Sequence, residues 1–275
     1  MTGIIIKNIS NDYTVISNNQ LYFCKPCGKL RNQKKIPLVG DQVTFDEQNN
    51  YILDIKKRKN ELIRPPIANV DTAIVVTSVK KPDFDSYLLD KTLAIISYNN
   101  IMPIIYFTKL DLLNEDELAH MKVIINYYKK VGYLTVTTTK ELKTLIHNKI
   151  VVLTGQSGAG KSTLLNKLNP NLNLKTDEIS LALGRGKHTT RHTELYDIFG
   201  TFIADTPGFS KIDLIGMNNY DIRDNMKEMF DQLQNCKYSD CLHLAEDGCA
   251  VTKLLQDNQI LPTRYQNYKS FIERK

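Results

Sequence analysis

Residues 150–168, IVVLTGQSGAGKSTLLNKL, constrain the fold more tightly than any other stretch of the chain. They fit G-x-x-x-x-G-K-[ST] through Gly155, Gly160, Lys161 and Ser162, with an apolar run before and a helix-forming run after. A loop of this kind wraps phosphate oxygens with backbone N–H groups, here those of Gln156, Ser157, Gly158 and Ala159. It does so at the positive end of the helix that follows. Lys161 is expected at the β- and γ-phosphates, the Ser162 hydroxyl on Mg²⁺, and Thr163 near the α-phosphate. The architecture that launches such a loop is a buried parallel strand, so the centre of the chain is expected to be α/β.

The surrounding texture agrees. DTAIVVTSV and MPIIYFTKL are near-continuous apolar runs, as expected for strands buried on both faces. Between them FDSYLLDKTLAIISYNN has helical spacing, and EDELAHMKVIINYYKKVG reads as an amphipathic helix. LTVTTT, ELKTLIHNK and IVVLT continue the alternation of strand and helix that marks a parallel sheet. Residues 1–65 differ. GIIIKNI, YTVIS, QLYFCK, QVTFD and YILDIKK are short alternating segments punctuated by polar turns, which predicts a small antiparallel barrel. RPP at 64–66 reads as a linker. Residues 218–275 are polar and helical. Three regions follow: 1–65, 66–217 and 218–275.

FIADTPGF at 202–209 ends an apolar run in Asp205 and continues D-x-x-G to Gly208. After a phosphate loop, that Asp is expected to hold Mg²⁺ and the Gly208 N–H to meet the γ-phosphate. GRGKHTTRHTEL at 184–195 lies between the two motifs, where a switch segment would supply a Thr to Mg²⁺. Thr189 and Thr190 are both candidates.

FTKLDLL at 107–113 looks like the element that reads the base. The Asp111 carboxylate accepts two hydrogen bonds from guanine N1–H and N2–H₂, a donor pair that adenine lacks. Lys109 would lay its stem along the base, and Thr108 stands where Asn is commoner. LTVTTT suggests a second base-side loop through Thr137 or Thr138. These parts come in the order base loop, second base loop, phosphate loop, switch one, switch two. An ordinary GTPase begins with the phosphate loop, so the order is that of a circular permutation.

Net charge is +6, which permits a polyanionic partner. KPCGKLRNQKK at 25–35 holds five basic residues and no acidic one, and KKRK follows at 56–59. No apolar run approaches the roughly 20 residues that cross a bilayer. The N-terminus lacks a secretory pattern, so a cytoplasmic protein is expected. Five cysteines in such a compartment point to metal binding or burial rather than disulfides. Cys236, Cys241, His243 and Cys249 give C-x4-C-x-H-x5-C, a ligand set for one closed tetrahedral Zn²⁺ of structural type. Cys24 and Cys27 have no second pair nearby and read as ordinary thiols.

Together, GKLR, LVGDQV, TKLD, GQSGAGKST, GRGKHTT, DTPGF and the cysteine–histidine spacing resemble the RsgA (YjeQ) family of circularly permuted GTPases over the full length. The resemblance implies an N-terminal OB-fold barrel, a central circularly permuted phosphate-loop GTPase domain and a mainly helical zinc-binding domain. It also implies GTP hydrolysis on the small ribosomal subunit and its 16S-type rRNA, with GTP, GDP, Mg²⁺ and Zn²⁺ as partners and cofactors. Phe209 follows D-x-x-G where many GTPases place a water-holding Gln, so slow intrinsic turnover is expected. His188 is then the candidate for orienting water. Tyr22, Phe23, Lys29, Arg31, Lys34 and Lys35 are candidates for RNA contact. No long heptad run appears, so a monomer is expected. Two other classes compete: an RNA binder whose grip the nucleotide controls, and an ATPase or small-molecule kinase, which Asp111 disfavours.

Overall fold

The computed structural model describes residues 1–63, 66–170, 194–198, 200–205, 214 and 216–274, without the side chains at 63 and 205. His188, Thr189, Thr190, Gly208 and Phe209 therefore lie outside the described residues.

Five strands close into a barrel: β1 (Thr2–Ile9), β2 (Asp12–Ser17), β3 (Gln20–Pro26), β4 (Gln42–Asp46) and β5 (Tyr51–Ile55), in the order β1-β2-β3-β5-β4. Alternation builds the interior: Ile5, Val15, Cys24, Val43, Phe45 and Ile52 point inward and are buried. The expectation of an all-antiparallel barrel fails at one seam, since β3 and β5 run parallel with Lys25 opposite Tyr51. That seam, with β1 closing on β4, is the OB-like topology.

The linker expected at 64–66 is also revised. Pro66 opens β7 (Pro66–Ala68), which pairs antiparallel with β6 (Glu61–Ile63). Proline is tolerated as the first residue of a strand.

A six-stranded sheet has the order β10-β9-β8-β11-β13-β12, from β8 (Thr72–Ser78), β9 (Met102–Thr108), β10 (Leu134–Val136), β11 (Ile150–Thr154), β12 (Leu195–Ile198) and β13 (Thr201–Asp205). Every residue of β8 and β11 is buried, which explains their near-continuous apolar character. Pairing is parallel for β9–β10 and β11–β13. β12, which the sequence pattern did not reveal, is an antiparallel edge on β13.

The chain divides into two compact units. One comprises 1–74, 138–154 and the described part of 160–209; the other comprises 75–137, 155–159 and the described part of 210–275. In the first, Arg58 forks onto the fully buried Asp41 at 2.8 Å through both Nε and Nη2 and donates to the Ile36 carbonyl. In the second, the helices Asn219–Asp224, Lys227–Gln232, Ala250–Gln256 and Pro262–Ile272 make the C-terminal region. Arg264 of the last helix is 1% exposed and meets Asp90 at 2.5 Å, and Glu228 at 2.7 and 3.0 Å. Tyr127 and Tyr128 donate to the same two carboxylates, which share the one guanidinium, so each buried acid is hydrogen-bonded.

Candidate functional site

The phosphate loop begins where β11 ends. Gly155 has φ +141°, and a Cβ there would lie 2.2 Å from the Val76 carbonyl oxygen, so only glycine fits. Gly160, at φ +101°, caps the helix Lys161–Leu168, which places Lys161 and Ser162 in its first turn. That turn carries the positive end of the helix dipole. Ser162 is buried at the second helical position. Asp205 is the last residue of β13.

The base loop leaves the C-terminal end of β9, where parallel sheets carry ligand loops. Lys109 takes the left-handed conformation with φ 64° and turns the chain into the 3₁₀ turn Leu110–Leu112. Thr108 donates its hydroxyl to the Ala159 carbonyl at 2.7 Å. The Lys109 ammonium donates to the Gly158 carbonyl at 2.8 Å and also to the carbonyl of Lys81. Thr108 and Lys109 thus meet residues 158 and 159, fifty positions downstream.

Asp111 is exposed and has no hydrogen bond or ion pair among the described residues. The helix Glu115–Val131 is capped instead by Asn114, in a reciprocal box with Glu117. The carboxylate of Asp111 is therefore not committed to capping.

Of the second base-side loop, Thr138 caps the helix Thr139–Ile146, accepting from Glu141 N at 3.3 Å and donating to the Glu141 carboxylate at 2.9 Å. Thr137 is half-buried.

The four residues of the C-terminal motif do converge. Their ligand atoms lie within 4.8 Å of one another, and His243 Nδ1 is 3.5, 3.5 and 3.4 Å from the sulfurs of Cys236, Cys241 and Cys249. Tetrahedral zinc, with Zn–S about 2.3 Å and Zn–N about 2.05 Å, requires a sulfur-to-nitrogen separation of about 3.5 Å. The donor set fits the ion in chemistry and in spacing.

His243 Nε2 faces the Met229 carbonyl at 3.0 Å, which fixes the tautomer that leaves Nδ1 free to ligate. Burial lowers the His243 pKa and keeps the ring neutral, and burial pushes the Cys241 thiol up to about 12 in the absence of a cation. Glu246, which sequence reading missed, accepts the N–H groups of Leu242, Leu244 and Ala245 at 2.6, 2.7 and 3.0 Å and shapes the ligand loop. Its only signal was an acidic residue inside the Cys–His spacing.

Cys24 is buried, burial raises its pKa, and Cys27 reaches the Leu53 carbonyl at 3.7 Å.

On the barrel surface, Phe23 is 72% exposed, while Tyr22 leans over Phe45 with ring centroids 4.9 Å apart and gives its hydroxyl to Gln20 and Glu47. Lys29, Arg31, Lys34 and Lys35 are exposed on and after the short helix Gly28–Asn32 and join no ion pair among the described residues. The run at 56–59 is different, because Arg58 and Lys59 pair with Asp41 and Asp71.

Comparison with known proteins agrees with this geometry. The RsgA GTPase profile matches residues 55–215, and the RsgA N-terminal domain profile matches residues 2–52. Small ribosomal subunit biogenesis GTPase RsgA 2 of Oceanobacillus iheyensis is 45% identical, covering 98% of this chain and 96% of its own length. The corresponding RsgA of Bacillus cereus is 46% identical over 98% and 96%. The crystal structure of YjeQ from Thermotoga maritima has a TM-score of 0.86 at 32% identity, covering 100% of this chain and 99% of that one. The structure of YloQ, a circularly permuted GTPase, has a TM-score of 0.82 at 34% identity, covering 98% and 93%. The chain belongs to the RsgA GTPase family.

Proposed function

We propose that this chain is a GTPase that binds the small ribosomal subunit, assists its late maturation and leaves it on hydrolysis that the subunit stimulates. The observation that carries the reading is the tie between Thr108 and Lys109 and the carbonyls of Ala159 and Gly158, with Asp111 left free beside it. That tie supports a guanine site in a chain whose base loop precedes its phosphate loop. The names of the relatives supply the ribosomal partner.

Within this reading Asp111 accepts from guanine, Lys109 covers the base, and Thr137 and Thr138 offer backbone N–H groups. Residues 155–160 cradle the phosphates, Lys161 reaches the β- and γ-phosphates, and Thr163 lies near the α-phosphate. Ser162, Asp205 and Thr189 or Thr190 would hold Mg²⁺, which when bound neutralises charge on the β- and γ-oxygens. Gly208 senses the γ-phosphate and His188 orients water. Cys236, Cys241, His243 and Cys249 would hold one structural Zn²⁺.

The exposed row of β3, in which Phe23 alternates with Lys25, suits single-stranded RNA, with Lys29, Arg31, Lys34 and Lys35 on its phosphates. The three domains are then residues 1–65, 66–217 and 218–275, and the protein acts as a cytoplasmic monomer. No helix among the described residues is long and apolar enough to cross a membrane.

Co-sedimentation with small ribosomal subunits tests the cycle. Binding with a non-hydrolysable GTP analogue should exceed binding with GDP by about tenfold or more, a coupling of roughly 1.4 kcal/mol. Equal binding in both states would remove the release step.

A further inference from the structure

We propose that Lys80 is a positioning residue for base recognition, clamping the far end of the loop that carries Asp111. The proposal rests on the reading of Asp111 as the guanine acceptor. Its basis is the way segment 78–81 runs alongside the base loop. At the near end, Val79 N–H donates to the Thr108 carbonyl at 3.2 Å, and the Lys81 carbonyl accepts from Lys109. At the far end, Lys80 Nζ meets both oxygens of Glu117, at 2.9 and 2.7 Å.

Glu117 is no ordinary surface acid. Its Oε2 also accepts from Asn114 N at 3.0 Å, while Asn114 Oδ1 accepts from Glu117 N at 2.8 Å. Asn114 marks the end of the base loop, so the ion pair and the capping box fix one point from two directions. The buried Ser78 hydroxyl donates to the Lys80 carbonyl at 2.9 Å and holds the lysine backbone in turn. The loop 109–113 is therefore pinned at both ends to one segment, and the exposed Asp111 sits in the short turn between them.

An isolated ion pair at this exposure contributes little to stability. Its consequence here is geometric. A carboxylate that must accept two hydrogen bonds from one base edge loses the second when its loop shifts by about an ångström.

The test uses the full-length chain and direct titration with GDP, IDP and ADP. IDP keeps the N1–H donor and lacks the 2-amino group, so the GDP-to-IDP ratio reads the second hydrogen bond to Asp111 alone. Wild type should prefer GDP over IDP by roughly tenfold to a hundredfold, the range for one hydrogen bond to a charged group, with ADP weaker still.

Lys80→Ala should compress that ratio to about threefold or less, mainly by weakening GDP. Glu117→Gln, which keeps the cap and loses the charge, should do the same. The double variant should be no worse than either single one, because both remove one interaction. Lys80→Arg should restore the ratio. A ratio unchanged in Lys80→Ala, or equal loss of GDP and IDP, would overturn the clamp. A wild type that binds ADP as well as GDP would instead overturn the assignment of Asp111, a failure the same titration separates.

Discussion

The Thr108 hydroxyl lies 2.7 Å from the Ala159 carbonyl, a hydrogen bond between the base loop and a residue of the phosphate loop 51 positions later. Thr108→Val keeps the shape and removes the donor. It leaves a carbonyl unpaired, at a cost of about 1–2 kcal/mol. Guanine nucleotide affinity should fall roughly fivefold to thirtyfold on that basis, while Thr108→Ser stays near wild type. Fluorescent GDP titration measures both.

The metal cluster gives a second expectation. Each purified chain should carry one zinc, and Cys249→Ser should lose it together with several kcal/mol of stability. Ligands must shed protons to bind. With the Cys241 thiol pushed up to about 12 by burial when no cation is present, metal retention should weaken steadily as pH falls. Metal content by mass spectrometry across pH 8 to 5 checks the direction; constant occupancy would contradict it.

Much of this was legible in the residues, and the exceptions share a cause. The phosphate loop, TKLD and the Cys–His spacing are local in sequence, because each must fold a few consecutive residues around a ligand. The buried strands showed in their near-continuous apolar runs. The parallel seam between β3 and β5 did not, since alternation along Gln20–Pro26 and Tyr51–Ile55 is the same in either pairing direction. Pro66 misled for the opposite reason: a strand-breaking residue can still start a strand. The Lys80–Glu117 clamp, the Glu246 loop and the pairing of Arg58 with Asp41 join residues by side-chain reach alone. No periodicity announces them.

Arg264 carries the third prediction. Arg264→Met strands Asp90 and Glu228 in the interior and should cost about 3–5 kcal/mol, measured by urea unfolding. Burial raises the Glu228 pKa and pairing with Arg264 more than offsets it, so the folded value lies below normal. A lowered carboxyl stabilises the fold above its unfolded pKa of about 4.3, and that contribution is lost as pH falls through the depressed folded value. The Glu228 contribution should therefore be lost on acidification below about pH 4 and be absent in Arg264→Met, while Asp90, which burial holds above its normal range, contributes in the opposite sense.

Phe23 tests the barrel surface. If its ring stacks on a base, Phe23→Ala should weaken binding to single-stranded RNA by about 1–3 kcal/mol, while GDP affinity stays unchanged. Filter binding at fixed salt reads the first quantity and nucleotide titration the second. Loss of both would place Phe23 in the fold rather than in recognition.

Turnover is the direct test of a guanine-specific hydrolase completed by its ribosomal partner. Purified protein should hydrolyse GTP slowly by itself and at least tenfold faster with small ribosomal subunits, as expected when a partner completes the site. ATP should be a poor substrate in either case. Preference for ATP, or GTP turnover that the subunit leaves unchanged, would overturn this function.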